Sequence, residues 1–134
     1  MSLKMGTRQV NGITIVDLSG EITLGDASAA LRTEVLDQVN NGFKKILLNL
    51  ADVTYIDSAG LGELTGSFTS VRNRGGELKL LNLTKRVHDL MQITKLYTVF
   101  EVFDDETDAV NSFFPGREIK RFDILSFVRQ LQEE

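Results

Sequence analysis

The residues best placed to do chemistry in this chain form a short run near its middle. The run is Asp57-Ser58-Ala59-Gly60-Leu61-Gly62. It sets a carboxylate and a hydroxyl just before a helical apolar pattern, where free backbone N–H groups attract an anionic oxygen. Ser58 could simply cap that helix, and spacing alone favours this interpretation because Ser and Asp are common N-cap residues. The same hydroxyl could also carry a phosphoryl group, held by charge-assisted hydrogen bonds from those N–H groups.

Hydrophobic periodicity predicts the elements that position this run. Residues 7–10 and 13–18 predict a hairpin, because Asn11-Gly12 between them accepts the positive φ angles of a type I′ turn. Apolar residues recur at helical spacing in four segments, residues 25–40, 61–71, 84–94 and 104–113. Apolar runs predict buried strands at residues 45–50, 77–83 and 99–103. Residues 51–58 are then expected to form a loop.

The order of these elements predicts an α/β fold. A hairpin followed by three helical crossovers, each returning to a strand, gives a mixed, mostly parallel sheet of four to five strands packed by about four helices. Pro115-Gly116 marks a break, and the apolar stripe over residues 117–134 predicts an extra C-terminal helix. We therefore divide the chain into a domain at residues 1–113 and a helical extension at residues 114–134. The extension is expected to pack on its own domain, to form a homodimer with a second copy, or to dock a partner.

Composition disfavours several functional classes. The chain has 134 residues, of which 42% are hydrophobic and 25% charged, as is typical of one folded domain. Its 15 basic and 19 acidic residues give 15 − 19 = −4, which disfavours binding to nucleic acid or to a membrane surface. No cysteine and a single histidine, His88, argue against thiolate chemistry, a histidine zinc site and a Ser-His-Asp triad. Because no apolar stretch suits a signal peptide or a membrane span, we expect the protein in the cytoplasm.

Three ligand-binding alternatives fit the sequence poorly. Gly60-x-Gly62-x-x-x-Gly66 has some likeness to a dinucleotide-binding fingerprint, but its strand is expected to end at Leu50, ten residues before Gly60. The chain contains no Gly-x-x-x-x-Gly-Lys-Ser/Thr loop for a nucleoside triphosphate. Asp17 is followed by Leu18-Ser19-Gly20 rather than by the further carboxylates with which a receiver domain holds magnesium. We predict no cofactor and no metal.

Other reactive side chains are assigned structural or surface roles. Four further hydroxyls could accept a phosphate, but places inside a helix or at a cap favour structural roles for Thr65, Ser67, Thr69 and Thr84. His88 lies beside the inner face of its helix and has no nucleophile near it in sequence, so catalysis there is disfavoured.

The central run and its surroundings resemble the STAS domain of bacterial anti-sigma factor antagonists. The likeness rests on Leu18-Ser19-Gly20-Glu21-Ile22, the run at residues 57–62, Gly75-Gly76-Glu77-Leu78 and residues 87–100. It covers residues from about 7 to 113, and Asp-Ser-x-Gly-Leu-Gly after a strand is its most specific part. The resemblance implies a STAS-like fold that begins with a β-hairpin.

The resemblance also implies a partner-switching regulator rather than an enzyme. Unphosphorylated members of this family bind an anti-sigma factor that is also a serine kinase, and so free the sigma factor. The kinase then phosphorylates the loop serine, here Ser58, and a serine phosphatase removes the phosphate. The residues assigned to partner binding are Asp57, Ser58, Ala59, Gly60, Leu61 and Gly62, together with Gly20 and Glu21. Asp57 is expected both to shape the loop and to contact the partner.

A second function stays open from the sequence. A domain of the same fold could act as a scaffold or sensor that binds a nucleotide, a lipid or another protein domain, without any sigma factor circuit. The compact chain, with no fused sensor or transporter segment, favours the antagonist. Phosphorylation by candidate serine kinases distinguishes the two functions.

Overall fold

The computed structural model describes residues 3–117, in which five strands and four α-helices form. The strands are β1 (Leu3–Val10), β2 (Ile13–Ile22), β3 (Lys45–Ile56), β4 (Glu77–Leu81) and β5 (Val102–Phe103). The helices are α1 (Asp26–Asn40), α2 (Ser58–Asn73), α3 (Lys85–Thr94) and α4 (Glu106–Asn111), with a short 3-10 helix at Leu96–Thr98. Among these elements, no helix has the length and apolar character needed to cross a bilayer. The predicted C-terminal helix lies outside the described residues apart from Arg117, and the division of the chain at residue 113 stays a prediction.

The strands form one mixed sheet in the order β1-β2-β3-β4-β5. β1 pairs antiparallel with β2, and the turn between them has φ 52° at Asn11 and 81° at Gly12, the two positive values that a type I′ turn needs. The other neighbouring strands are parallel, since a helix connects each to the strand before it. The predicted α/β fold, a hairpin followed by helical crossovers, is confirmed.

Helices cover both faces of the sheet. The larger core lies on the face packed by α1, α2 and α3, whose buried apolar residues include Leu31, Val35, Val39, Leu61, Leu64, Val71, Val87 and Met91. α4 covers the other face with Ala109 and Val110. In β3, Ile46 and Leu48 enter the first core while Leu47 enters the second, because successive strand residues point to opposite faces. A strand buried on both sides therefore reads as a continuous apolar run.

β3 is longer than its apolar run predicts. The pattern predicts an end at Leu50 and a loop over residues 51–58, but the strand continues to Ile56, so that prediction is wrong. Register shifts in the pairing with β2, one between Asp17 and Ser19 and another between Gly20 and Glu21, interrupt the alternation by which such a strand is detected. The distance argument against a dinucleotide fingerprint also fails, because the strand ends four residues before Gly60 rather than ten.

The remaining differences occur at the ends of elements. β5 is limited to Val102–Phe103, rather than residues 99–103, and Val99 is instead the C-cap of the 3-10 helix that precedes it. The helical spacing predicts Ala27 on the inner face of α1, but Ser28 is the residue buried there; Thr94, a candidate for the inner face of α3, is exposed. Terminal turns are set by neighbouring elements, so such differences of a few residues are expected.

Removal of residues 118–134 is expected to leave a cooperatively folded domain. Phe113 and Phe114, which pack in the second core, both precede the cut. Phe114 is also held between two cations, with Lys45 4.7 Å and Arg117 4.1 Å from its ring centroid. Thermal unfolding followed by circular dichroism should show one cooperative transition in both the full and the shortened chain. Loss of that transition would show that the removed residues complete the core.

Candidate functional site

Ser58 is the first residue of α2, and Asp57 alone separates it from the end of β3. Asp57 has an extended backbone, with φ −97° and ψ −179°, and its Oδ1 accepts a hydrogen bond from the Gly60 N–H at 2.7 Å. Asp57 is therefore the N-cap, and the interpretation of Ser58 as the cap is wrong. The physical reason is the length of β3, which leaves Asp57 as the only residue between strand and helix.

The Ser58 hydroxyl is exposed, and within the described part of the chain it makes no hydrogen bond. The other candidate hydroxyls differ. Thr65 and Thr69 each donate to a carbonyl oxygen one turn earlier, both at 3.1 Å. Ser67 is buried, and Thr84 caps α3. Of these five hydroxyls, Ser58 is the one that an enzyme can reach without first breaking an internal hydrogen bond.

Asp57 also ties α2 to the loop that follows β2. Its Oδ2 accepts a hydrogen bond from the Leu24 N–H at 3.1 Å, and its own N–H donates to the Ile22 carbonyl oxygen at 3.3 Å. Gly60 lies against that same carbonyl, since a Cβ at Gly60 would stand 2.0 Å from the oxygen. Only glycine permits such an approach. Gly60 therefore holds the Ser58 turn against the β2–α1 loop.

The start of α2 already holds an anion. Hydrogen bonds from the Gly60 and Leu24 backbone N–H groups lower the pKa of Asp57 below its ordinary value, because they stabilise the carboxylate. The Gly60 N–H, one of the groups at this helix start that could hold a phosphate, is therefore bound to Asp57. A phosphate on Ser58 would add a second anionic group beside this carboxylate.

The stabilising effect of Asp57 should disappear at low pH. Because its pKa is lower in the folded protein than the usual 3.8, the carboxylate contributes stability above pH 3.8 that is lost as the pH falls through the folded value. Asp57→Asn keeps a capping oxygen but removes the charge. Urea unfolding should therefore show the variant to be less stable than wild type at pH 7, with the difference shrinking toward pH 2. If the stability difference between wild type and Asp57→Asn stayed constant with pH, it would come from the shape of the side chain and not from its charge.

The structure brings the predicted partner-binding residues to one end of the sheet. Gly20 and Glu21 lie in β2 beside the last residues of β3. The exposed or partly exposed residues of the central run are Asp57, Ser58, Ala59 and Gly62. Gly60 and Leu61 are buried, so they support this surface from beneath instead of forming it.

Two parts of the same surface are missing from the sequence predictions. Leu24, whose N–H binds Asp57, is 79% exposed. The Arg86 guanidinium of α3 lies 4.3 Å from the ring centroid of Tyr55, near the end of β3. A leucine in a turn and an arginine on a helix are common in any sequence, so no motif could have identified either.

Comparison with known proteins decides the family. A family model described as the STAS domain matches residues 4–109 of the chain. The chain belongs to the STAS domain family. The resemblance carried by the central run is thereby confirmed.

Individual relatives of this STAS domain agree with that result. The anti-sigma-B factor antagonist of Bacillus subtilis (strain 168) is 33% identical over 102 residues, which are 76% of this chain and 92% of that protein. The Bacillus cell fate determinant SpoIIAA in its phosphorylated form superposes with a TM-score of 0.65 and 20% identity, over 82% of this chain and 99% of that one. An anti-sigma factor antagonist from Mycobacterium paratuberculosis gives a TM-score of 0.71 and 19% identity, over 83% and 93% of the two chains. At these identities the two structures establish the fold.

Proposed function

We propose that this chain is an anti-sigma factor antagonist. In its unphosphorylated state it binds an anti-sigma factor that is also a serine kinase, and the sigma factor is released. Its function is binding rather than catalysis, and its place of action is the cytoplasm. The observation that carries the proposal is the exposed Ser58 hydroxyl, which lies at a rigid strand–helix junction and has no hydrogen bond within the described residues. The Bacillus subtilis relative, an anti-sigma-B factor antagonist, supports the same function.

Phosphorylation of Ser58 by the bound kinase is the proposed off switch. A phosphoserine carries about −1.5 to −2 charge at neutral pH. At this junction the new charge would stand beside the Asp57 carboxylate, whose lowered pKa keeps it ionised. Burying two adjacent anions against a partner costs desolvation and repulsion, so the complex should dissociate. A serine phosphatase would restore binding.

The proposed contact surface follows from exposure at this end of the sheet. Asp57, Ser58, Ala59 and Gly62 form its centre. Glu21 and Gly20 border it through β2, and Leu24 adds an exposed apolar side chain beside Asp57. Gly60 and Leu61 do not contact the partner; they affect binding only because they position the exposed residues.

Phosphorylation in a purified system tests this function. The chain is incubated with ATP and, in turn, with each anti-sigma factor kinase that the source organism encodes, and the phosphate is located by mass spectrometry. We expect modification of Ser58, with none on the Ser58→Ala variant. Phosphate on another residue would contradict the assignment of the switch. If no anti-sigma factor bound or modified the chain, the scaffold or sensor function would be favoured.

The homodimer through the C-terminal extension stays a prediction. Light scattering on the full chain and on a chain ending at Arg117 tests it directly. A change from dimer to monomer on shortening would support it, and equal oligomeric states would exclude it.

A further inference from the structure

A groove runs between α1 and α2, and Ala59, the residue after Ser58, lines one end of it. Its volume is about 260 Å³, and its lining extends from Leu24 and Ala59 at one end to Leu36 and Ser70 at the other. At 1.5 Å per residue, the part of α2 that lines it is roughly 16 Å long. This volume lies below the ~300–1,000 Å³ typical of small-molecule sites. The shape suits the side chains of one protein segment.

The fold supplies no reason for the glycines in the floor of this groove. A Cβ at Gly66 would meet only Glu63 Oε2, at 3.8 Å, and a Cβ at Gly62 would meet nothing within 4 Å. Neither glycine has a positive φ. Because glycine is unfavourable inside a helix, alanine at either position would favour α2. These two glycines therefore keep the floor open without any benefit to the described part of the fold.

A buried carboxylate lines the same groove. The Glu63 side chain is only 3% exposed, and its Oε1 makes no hydrogen bond among the described residues. That oxygen lies 2.7 Å from Nη2 of Arg32, whose side chain is 61% exposed on α1. The ion pair fixes the Arg32 guanidinium at the groove, while most of that side chain stays open to solvent.

We propose that the α1–α2 groove receives a segment of the anti-sigma factor with small side chains and one carboxylate, which binds Arg32. This inference rests on the function proposed above and extends its contact surface away from Ser58. A guanidinium can donate two parallel hydrogen bonds to a carboxylate, and Arg32 reaches solvent whereas Glu63 does not. Glu63 is therefore a positioning residue that orients Arg32. Glu63 and Arg32 together discriminate between partners. A partner segment that has no carboxylate leaves Arg32 without a second counter-charge, and so binds more weakly.

Binding measurements on groove variants test the proposal. The partner is the anti-sigma factor that phosphorylates the wild-type chain, titrated with ADP in place of ATP so that Ser58 stays unmodified. Arg32→Gln should weaken binding by about tenfold or more, and Arg32→Lys by less. Gly66→Gln fills the groove and should also weaken binding by about tenfold. Lys44→Glu, just before β3 and so at the far end of the sheet from Ser58, is the charge control and should bind as wild type does.

The possible outcomes distinguish failure of the groove proposal from failure of the proposed Ser58 switch. Wild-type affinity in both Arg32→Gln and Gly66→Gln, alongside normal binding of the unchanged chain, would overturn the groove and leave the Ser58 function standing. If the wild-type chain binds no anti-sigma factor, both proposals fall. Thermal unfolding of each variant identifies any loss of fold, and Gly66→Gln still decides the matter if Arg32→Gln unfolds. A double-mutant cycle between Arg32 and each acid of the partner should then identify the carboxylate by its coupling.

Discussion

Ser58→Asp is expected to weaken the complex with the anti-sigma factor by about 100-fold or more, whereas Ser58→Ala should bind within about twofold of wild type. The substituted carboxylate would stand beside Asp57, which is itself ionised because of its lowered pKa. Closing an interface over both charges removes their hydration without supplying a counter-charge. Alanine removes only a hydroxyl that makes no hydrogen bond within the described residues, so little binding affinity should be lost. Isothermal titration calorimetry measures both affinities.

Ser58→Asn is the matched control for this experiment. Asparagine has the size and shape of aspartate but no charge, so it should bind much more tightly than Ser58→Asp. Raising the salt concentration should narrow the gap between them, because salt screens the repulsion. Equal affinities of the Asp and Asn variants would mean that bulk alone disrupts the interface, and the charge-based switch would have to be abandoned.

Gly60→Ala is expected to lower the free energy of unfolding by about 3 kcal/mol. The added Cβ would lie 2.0 Å from the Ile22 carbonyl oxygen and 2.7 Å from its carbon, far inside van der Waals contact. Backbone must move to relieve this clash, and the movement would pull apart the β2–α1 loop and the start of α2. Urea unfolding gives the change in stability, and the same variant should bind the anti-sigma factor more weakly because Ser58 is displaced.

Gly62→Ala, two residues later in the same helix, is the matched control. No atom lies within 4 Å of a Cβ at that position, so the variant should be as stable as wild type or more stable by up to about 1 kcal/mol. If Gly60→Ala and Gly62→Ala proved equally stable, the close approach of Gly60 to Ile22 would not exist in solution.

Much of the fold could be predicted because its signals are local. The Asn11-Gly12 turn needs two positive φ values, and this dipeptide accepts them in any context. The faces of α1 and α2 repeat at helical spacing, and the first half of β3 is apolar on both sides. The second half of β3 could not be predicted in this way. Its bulged pairing with β2 breaks the alternation, so the strand looks like a loop when read alone.

The candidate site also has some features that local sequence predicts and others that depend on long-range packing. The Asp-Ser pair before a glycine-containing helix is visible in the sequence, and it correctly indicates a helix start. Either residue type can cap a helix, however, and only the position of the strand end decides for Asp57. Exposure of Leu24 and burial of Leu61 likewise depend on which loop lies over which helix.

Residue order alone was enough for the succession of strands and helices, the family motif and the place of Ser58 near the start of a helix. Packing in three dimensions determined that Asp57 caps α2 and binds Leu24, that Gly60 meets the Ile22 carbonyl, and that Glu63 orients Arg32. The physical reason is separation along the chain. Periodicity and turn chemistry act over a few neighbouring residues, whereas the bond from Leu24 to Asp57 joins groups 33 positions apart, which meet only after β2 and β3 have paired.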